Sequence, residues 1–227
     1  MIRSFARRFC TVNPLAIQGN FSFEVVTKEK DAVRFIDLIS DQFSRREATA
    51  TSVGCSKEDM HTAFDSLGEY FLKHQSALIA RDNSIGDIVS GLIGMDYCYE
   101  FPPEFESRLS PKCQEVVQIL DRFKNKNNES GHFTKEMNTY FYIYAGFTVD
   151  AYEGRGLYRL LSNLAEKRAR EKGFKYMIRE TTNSRLAKAF TEQGYQILIK
   201  ESFEEVAKFV SKSENGTPYW MQLKKPL

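Results

Sequence analysis

The sequence has no apolar run that approaches the roughly 18 residues a membrane-spanning helix requires, because its apolar stretches are short and interrupted by charge. It has only four cysteines, with no Cys-x-x-Cys pair and no histidine at metal-ligand spacing. A disulfide scaffold and a zinc-binding class are therefore excluded, and reduced thiols are expected. Excess charge of one sign is also missing. The 32 basic and 30 acidic residues give +2, which does not predict a nucleic acid or an anionic membrane as the partner.

The remaining composition is that of a folded globular protein. Of the 227 residues, 42% are hydrophobic and 27% are charged, which excludes a disordered or collagen-like chain. This length fits one large domain or two small ones. No internal repeat, low-complexity tract or linker divides the sequence, so a single domain is predicted over residues 21–227.

The first twenty residues have a composition of their own. They contain no acidic residue, and their basic residues are Arg3, Arg7 and Arg8. A helix here would carry an apolar face opposite the arginines, as mitochondrial transit peptides do. Residues 1–20 are therefore predicted to direct import into mitochondria, and their removal would leave 29 basic and 30 acidic residues. The alternative is a frayed basic terminus on a cytoplasmic protein.

Apolar periodicity predicts alternating strands and helices after residue 20. Strands are predicted over residues 21–25, 77–80, 88–95, 141–149, 174–178, 195–200 and 219–223. Helices are predicted over residues 33–43, 60–71, 109–123, 157–169 and 184–193. This order predicts an α/β (mixed α+β) fold whose mixed sheet of about seven strands is flanked by helices and carries a helical insertion.

The segment from Phe147 to Leu161 reads as a strand, a glycine turn and an amphipathic helix. Gly154 and Gly156 allow a tight turn, and the start of a helix offers unpaired amides and a positive dipole end, which together favour a bound phosphate. Arg155 and Arg159 can add charge-assisted hydrogen bonds. Simple turn chemistry explains the glycines equally well. Neither a Walker loop nor a complete Rossmann motif is present, which excludes nucleotide hydrolysis and dinucleotide chemistry.

At these residues the chain resembles the GNAT acetyltransferase superfamily. The turn, written Glu153-x-x-Gly156-x-Tyr158, corresponds to the phosphate loop of that superfamily, between a strand and a helix. Further along, Asn183, Phe190 and Gly194-Tyr195 are similar to its Asn, aromatic and Gly-Phe signature.

The layout is most similar to arylalkylamine N-acetyltransferases of the dopamine N-acetyltransferase type. That similarity rests on Phe43-x-x-x-Glu47, on the inserted helix before Phe123 and on the final Trp220-Met-Gln-Leu223. The resemblance covers nearly the whole chain from Phe21 onward.

The resemblance implies acetyl-CoA as co-substrate, without a metal. The backbone of Phe147, Thr148 and Val149 would bind the pantetheine arm, and the turn would bind the pyrophosphate. The remaining implied cofactor contacts are Gly154, Arg155, Gly156, Leu157, Tyr158, Arg159 and Asn183. The acetyl group would pass directly to a primary amine, and a small arylalkylamine-like molecule is the expected acceptor. Acetylation of a protein N-terminus or a lysine stays open.

Direct transfer needs a base, because the acceptor amine is an ammonium at neutral pH. The resemblance implies that Glu47 acts as this base through water, and that Thr182 and Ser184 bind substrate or the sulfur end of the cofactor. As alternatives, Glu47 is a solvated carboxylate beside Arg45 and Arg46, and the hydroxyls cap a helix.

Two departures from the family pattern lie inside the turn. Glu153 replaces a neutral or cationic residue beside the phosphates, and Tyr158 replaces a small residue. They motivate a second hypothesis, a catalytically weakened GNAT-fold protein that serves as an accessory subunit of a mitochondrial assembly. The two hypotheses differ in geometry. If both side chains point away from the start of the helix, the anion site is open.

Overall fold

A computed structural model describes residues 14–101, 104–129, 133–134, 136–202 and 219–227. The strands are β1 (Ala16–Gln18), β2 (Phe21–Val25), β3 (Ala77–Asp82), β4 (Asp87–Asp96), β5 (Tyr140–Thr148), β6 (Tyr176–Thr181), β7 (Gln196–Ser202) and β8 (Tyr219–Pro226). The helices are α1 (Glu29–Arg46), α2 (Ala48–Val53), α3 (Lys57–Asp65), α4 (Gly68–His74), α5 (Glu104–Arg108), α6 (Pro111–Glu129), α7 (Leu157–Glu171) and α8 (Ser184–Glu192). None of these helices has the length and hydropathy that crossing a bilayer requires.

The strands form one sheet in the order β1-β2-β3-β4-β5-β6-β8-β7. Neighbouring strands are antiparallel except β5 and β6, which are parallel and joined through the crossover helix α7. The predicted mixed α/β class is confirmed. The described sheet has eight strands rather than about seven, because the three residues of β1 pair with β2. A strand that short carries too little alternation to be predicted.

Strand β1 lies within the predicted import segment, residues 1–20. Residues 1–13 of that segment lie outside the described residues, and Ala16–Gln18 belong to the sheet. Removal of all twenty residues would therefore also remove β1. Import remains a prediction.

The predicted helix over residues 60–71 is two helices. Ser56 and Asp59 form a capping box that starts α3, and the chain turns at Ser66 and Leu67 before α4. Helix α2 has no counterpart among the predicted helices. It has six residues, too few for a helical period, and it ends at Gly54, which has a left-handed conformation with φ of 73°.

Each face of the sheet buries its own core. Helices α1 to α6 cover one face, where Phe35, Ile39 and Phe71 are fully buried. Helix α1 lies close to the sheet because Gly91 leaves room for the Phe35 ring, where an added Cβ would be 2.4 Å from that ring. On the other face, α7 and α8 cover a second core that includes Leu161 and Met177.

The parallel pair β5 and β6 separates partway along its length. Residues Tyr140 to Ile143 pair with Tyr176 to Arg179, and beyond them the described part of β5 pairs only with β4. The register between β4 and β5 shifts here, since Ile93 pairs with Ala145 and Gly94 with Ile143. Tyr144 is thus the extra residue of a β-bulge, and a bulge bends the strand that carries it. We call the opening between residues 144–148 of β5 and residues 180–181 of β6 the fork.

Candidate active site

The fork exposes backbone hydrogen-bonding groups of β5. Phe147 O accepts from Ser90 Oγ at 2.7 Å, and Val149 N donates to Val89 O at 2.9 Å, so both residues direct their backbone groups toward β4. Because consecutive strand residues direct these groups to opposite edges, Gly146 and Thr148 direct theirs into the fork. Of the three predicted pantetheine contacts, Thr148 therefore faces the fork through its backbone. The Phe147 ring packs on Phe35 in the core, with centroids 5.3 Å apart.

The glycine turn lies between β5 and the start of α7. Gly154 and Gly156 have φ of 72° and 74°, values that other residues rarely adopt. Among the described residues, no group accepts a hydrogen bond from the amides of Leu157, Tyr158 or Arg159, which form the first turn of the helix. These amides and the positive end of the helix dipole make the turn a chemically suitable anion site.

Two cations lie beside the turn. The Arg159 side chain is exposed, and its guanidinium would be 3.6 Å from a Cβ added at Gly156. Arg155 donates to Ala151 O at 3.1 Å and lies over the Tyr152 ring, 4.7 Å from its centroid. Arg159 is therefore the cation better placed to meet an anion at the start of α7.

The acidic residues of the turn are paired with α1. Glu153 forms an ion pair with Arg46, and Asp150 pairs with Arg46 at 3.1 Å and with Arg45 at 3.3 Å. The Glu153 carboxylate is the main cause of the raised pKa of Arg46. Glu153 thus pairs with neither arginine of its own loop, and its charge beside the anion site is compensated by another element.

Tyr158 lies against the sheet. Its ring occupies the space where Gly146 would otherwise carry a Cβ, since that atom would be 2.4 Å from the ring. Tyr158 also packs with the core under α7, near Tyr195. The ring therefore covers β5 from the α7 side. A glycine inside a strand was the sequence signal for this close approach.

Glu47 caps α2. Its Oε2 accepts from Ala50 N at 2.7 Å, and its Oε1 accepts from Thr49 Oγ1 at 3.2 Å. The residue as a whole is half-buried, and its carboxyl group is buried among protein atoms. This burial raises the pKa of Glu47, while the hydrogen bonds act to lower it. Glu47 is thus not the freely solvated partner of Arg45 and Arg46, which pair with acidic side chains.

Of the predicted hydroxyls, Thr182 lies between β6 and α8, and Ser184 is the first residue of α8. Asn183 caps α8, with Oδ1 accepting from Arg185 N at 2.9 Å and from Leu186 N at 3.2 Å. The capping role considered for Thr182 and Ser184 is therefore performed by Asn183. Thr182 is partly buried and Ser184 is exposed, and contacts of these three residues with substrate or cofactor remain predictions.

A buried arginine lies on the α7 side of the sheet, where β5 and β6 begin to separate. Arg179 is 2% exposed and donates to Tyr195 Oη at 2.7 Å and to Ser162 Oγ at 3.1 Å. Its guanidinium also lies 4.6 Å from the centre of the Phe190 ring. Phe190 and Tyr195 of the family signature thus hold the last β6 residue that pairs with β5.

A polar cluster on the opposite face was not predicted as a site. Tyr142 Oη donates to Glu180 Oε2 at 2.5 Å, and Gln222 Nε2 donates to Glu180 Oε1 at 2.9 Å and to Tyr97 Oη at 3.2 Å. Burial and the negative charge of Glu180 raise the pKa of Tyr142 well above its usual value and that of Tyr144 to about 12. The alternation of Tyr140, Tyr142 and Tyr144 was its one sequence signal.

The thiols and metal-ligating side chains form no further site in the described ranges. Cys55, Cys98 and Cys113 are free, and Cys10 lies outside these ranges. Nowhere in the same ranges do three His, Cys, Asp or Glu side chains come together as a metal would require.

No protein-family model and no curated protein matches this sequence. Solved structures do resemble it. The C-terminal condensation domain of Ebony, solved with beta-alanyl-dopamine, has a TM-score of 0.77 at 13% identity, covering 91% of this chain and 99% of that one. For arylalkylamine N-acetyltransferase 2 from Aedes aegypti, the TM-score is 0.70 at 16% identity, with coverage of 92% and 99%.

A third structure is yncA from Salmonella typhimurium, solved with its cofactor acetyl-CoA. Its TM-score is 0.59 at 12% identity, covering 92% of this chain and 95% of that one. The chain therefore has the GNAT fold, as the resemblance to that superfamily implied, and it shares this fold with arylalkylamine N-acetyltransferases.

Replacement of Glu47 by Gln tests the burial of its carboxyl. Because the folded-state pKa is raised, the folded protein favours the neutral form, and stability is lost as the pH rises through that pKa. Glutamine is neutral and can still accept from Ala50 N. We expect Glu47→Gln to raise the urea midpoint at about pH 7 and to lose this advantage near about pH 4.

Glu58→Gln is the matched control, since Glu58 lies in the first turn of α3 and its pKa is lowered by backbone hydrogen bonding. It should not stabilise the protein at neutral pH. An unchanged or lower midpoint for Glu47→Gln at about pH 7 would contradict the assigned environment.

Proposed function

We propose that the protein is an acetyl-CoA-dependent N-acetyltransferase that transfers the acetyl group directly to a primary amine, a small arylalkylamine-like molecule. The observation that carries this proposal is the juxtaposition of the fork with the glycine turn at the start of α7. The fold neighbours support it, because they include N-acetyltransferases and a protein solved with acetyl-CoA. Mitochondrial import is part of the proposal and rests on the composition of residues 1–20.

The residues present fit acetyl-CoA. The fork-facing backbone groups of Gly146 and Thr148 can pair with the amides of a pantetheine arm, as a strand would. The unpaired amides at the start of α7 and the Arg159 guanidinium fit a pyrophosphate. When bound, acetyl-CoA supplies an activated acetyl thioester.

In this proposal, the Glu47 carboxylate is the general base. An acceptor amine must lose a proton before it can attack, and a base with a raised pKa holds that proton better than an ordinary carboxylate does. The hydrogen bonds from Ala50 N and Thr49 Oγ1 fix the carboxylate, so that it can accept the proton through one water.

Turnover of acetyl-CoA with a panel of primary amines, followed by release of the CoA thiol, tests the proposal. Acetyl-CoA should bind the full chain at micromolar concentration, which corresponds to about −8 kcal/mol. Arg159→Glu should weaken this binding by about tenfold or more, because it reverses the charge beside the pyrophosphate. Lys167→Glu makes the same charge change farther along α7, on an exposed side chain, and should have little effect.

Absence of binding at millimolar acetyl-CoA would contradict the proposal and favour the accessory-subunit hypothesis. Equal loss of binding in both charge variants would contradict the assignment of the anion site to the start of α7.

The pairing of Glu153 with Arg46 predicts an unusual effect on cofactor affinity. Glu153→Gln removes a negative charge beside the anion site and leaves Arg46 paired with Asp150 alone. We expect it to tighten CoA binding by about three- to tenfold at low salt and by less at high salt. Arg46→Gln should weaken binding, because it leaves Glu153 uncompensated. Titration calorimetry measures both.

Glu171→Gln, at the far end of α7, controls for the change in net charge and should leave CoA affinity unchanged. Weaker CoA binding by Glu153→Gln would show that Glu153 assists the cofactor site, against this account.

A further inference from the structure

The fork holds a carboxylate, that of Glu180, in addition to the Glu47 carboxylate at the start of α2. Glu180 is the first β6 residue beyond the last pair with β5, Ile143 with Arg179. Arg179 contacts Ser162 of α7, and successive strand residues point to opposite faces, so Glu180 projects to the face covered by α1 and α6. The Tyr142 hydroxyl lies on that same face. The carboxylate therefore sits where the two strands begin to separate.

Two donors fix the orientation of this carboxylate. Tyr142 Oη lies 2.5 Å from one oxygen and Gln222 Nε2 lies 2.9 Å from the other. Gln222 is fully buried and bonds Tyr97 as well, so it cannot easily reorient. A carboxylate held in this way is preorganised for a ligand, because its geometry is fixed before binding.

Aromatic rings pack beside Tyr142, the tyrosine that donates to the carboxylate. The Tyr142 ring meets Tyr97 edge to face at 5.6 Å and Tyr144 at 5.9 Å, and Tyr144 meets Phe101 at 6.2 Å. Aromatic faces attract cations, and they pack well on other rings. A fixed anion beside such rings is complementary to a molecule that carries both an ammonium and an aromatic group.

Glu47 has a different setting. Both of its oxygens bond within its own helix start, to Ala50 N and Thr49 Oγ1. The position of the Glu47 carboxylate is thus fixed by α2, whereas that of the Glu180 carboxylate is fixed by the two strands of the fork. The two carboxylates are suited to different tasks, proton transfer at Glu47 and substrate binding at Glu180.

We propose that Glu180 binds the ammonium group of the acceptor, and that Tyr97, Tyr142 and Tyr144 form an aromatic wall that selects amines with an aryl ring. This inference rests on the proposed function, since it names the acceptor subsite of the same reaction. It assigns to Glu180 a contact that the family resemblance gives to no residue.

Calorimetric titration of phenethylamine into the CoA-saturated full chain tests the inference. Glu180→Gln keeps the shape of the side chain and removes its charge, so phenethylamine should bind about tenfold or more weakly while CoA affinity changes less than about twofold. The neutral analogue 2-phenylethanol should bind the wild type and Glu180→Gln alike. Glu192→Gln, at the end of α8, should behave as the wild type.

Tyr144→Leu provides a second variant that keeps Glu180 intact. It should reduce the preference for phenethylamine over butylamine, because it removes an aromatic wall and leaves the anion. This variant keeps the inference testable if Glu180→Gln does not fold.

Phenethylamine affinity unchanged in Glu180→Gln would overturn the inference, as would absence of phenethylamine binding to the wild type. Thiol release with the amine panel separates this failure from failure of the proposed function. If amines are acetylated with the same KM by both proteins, the function stands and the Glu180 assignment falls. If Glu180-dependent binding occurs without turnover, the subsite stands and the catalytic proposal falls.

Discussion

The bulge at Tyr144 is the constraint on which the rest of the site depends. Parallel strands stay together through a regular series of hydrogen bonds, and an extra residue in β5 interrupts that series after Ile143. The fork then has hydrogen-bonding groups of β5 on one side and Glu180 on the other. The start of α7 lies at its open end, because the same strand continues into the glycine turn. One local irregularity thus brings an anion site, a strand edge and a carboxylate together.

Electrostatics link this site to α1. Arg45 and Arg46 end that helix, and they pair with Asp150 and Glu153 of the turn. Exposed ion pairs contribute about 0 to 1 kcal/mol each, so this network adds little stability. Its consequence is positional, since Glu47 follows Arg46 directly. The ion pairs of Arg45 and Arg46 therefore hold Glu47, the candidate base, near the candidate phosphate site. Because these pairs also compensate the acidic side chains of the turn, the turn is compatible with an anionic ligand.

Local sequence patterns predicted the helices and strands. They did not predict the side-chain pairings of the site, which depend on contacts between residues far apart in the sequence. Alternation and helical period indicate β5 and α7, because their apolar faces repeat over many residues. The position of the Tyr158 ring depends on the absence of a side chain at Gly146. The ion-pair partner of Glu153 is Arg46, more than a hundred residues away in the sequence. Gly146 indicates a close approach, but no nearby residue identifies Tyr158 as the partner, and none near Glu153 identifies Arg46. The same holds for Glu180 and Gln222, which meet only because β8 returns beside β6.

The central claim is that the fork and the adjoining turn form the acetyl-CoA site, and amide hydrogen exchange with and without CoA tests it most directly. If this site binds the cofactor, CoA slows exchange in residues 144–149 and 154–160, while the hairpin of β3 and β4 exchanges as before. Binding of CoA without protection of these two segments, or with protection confined to the hairpin, would contradict it.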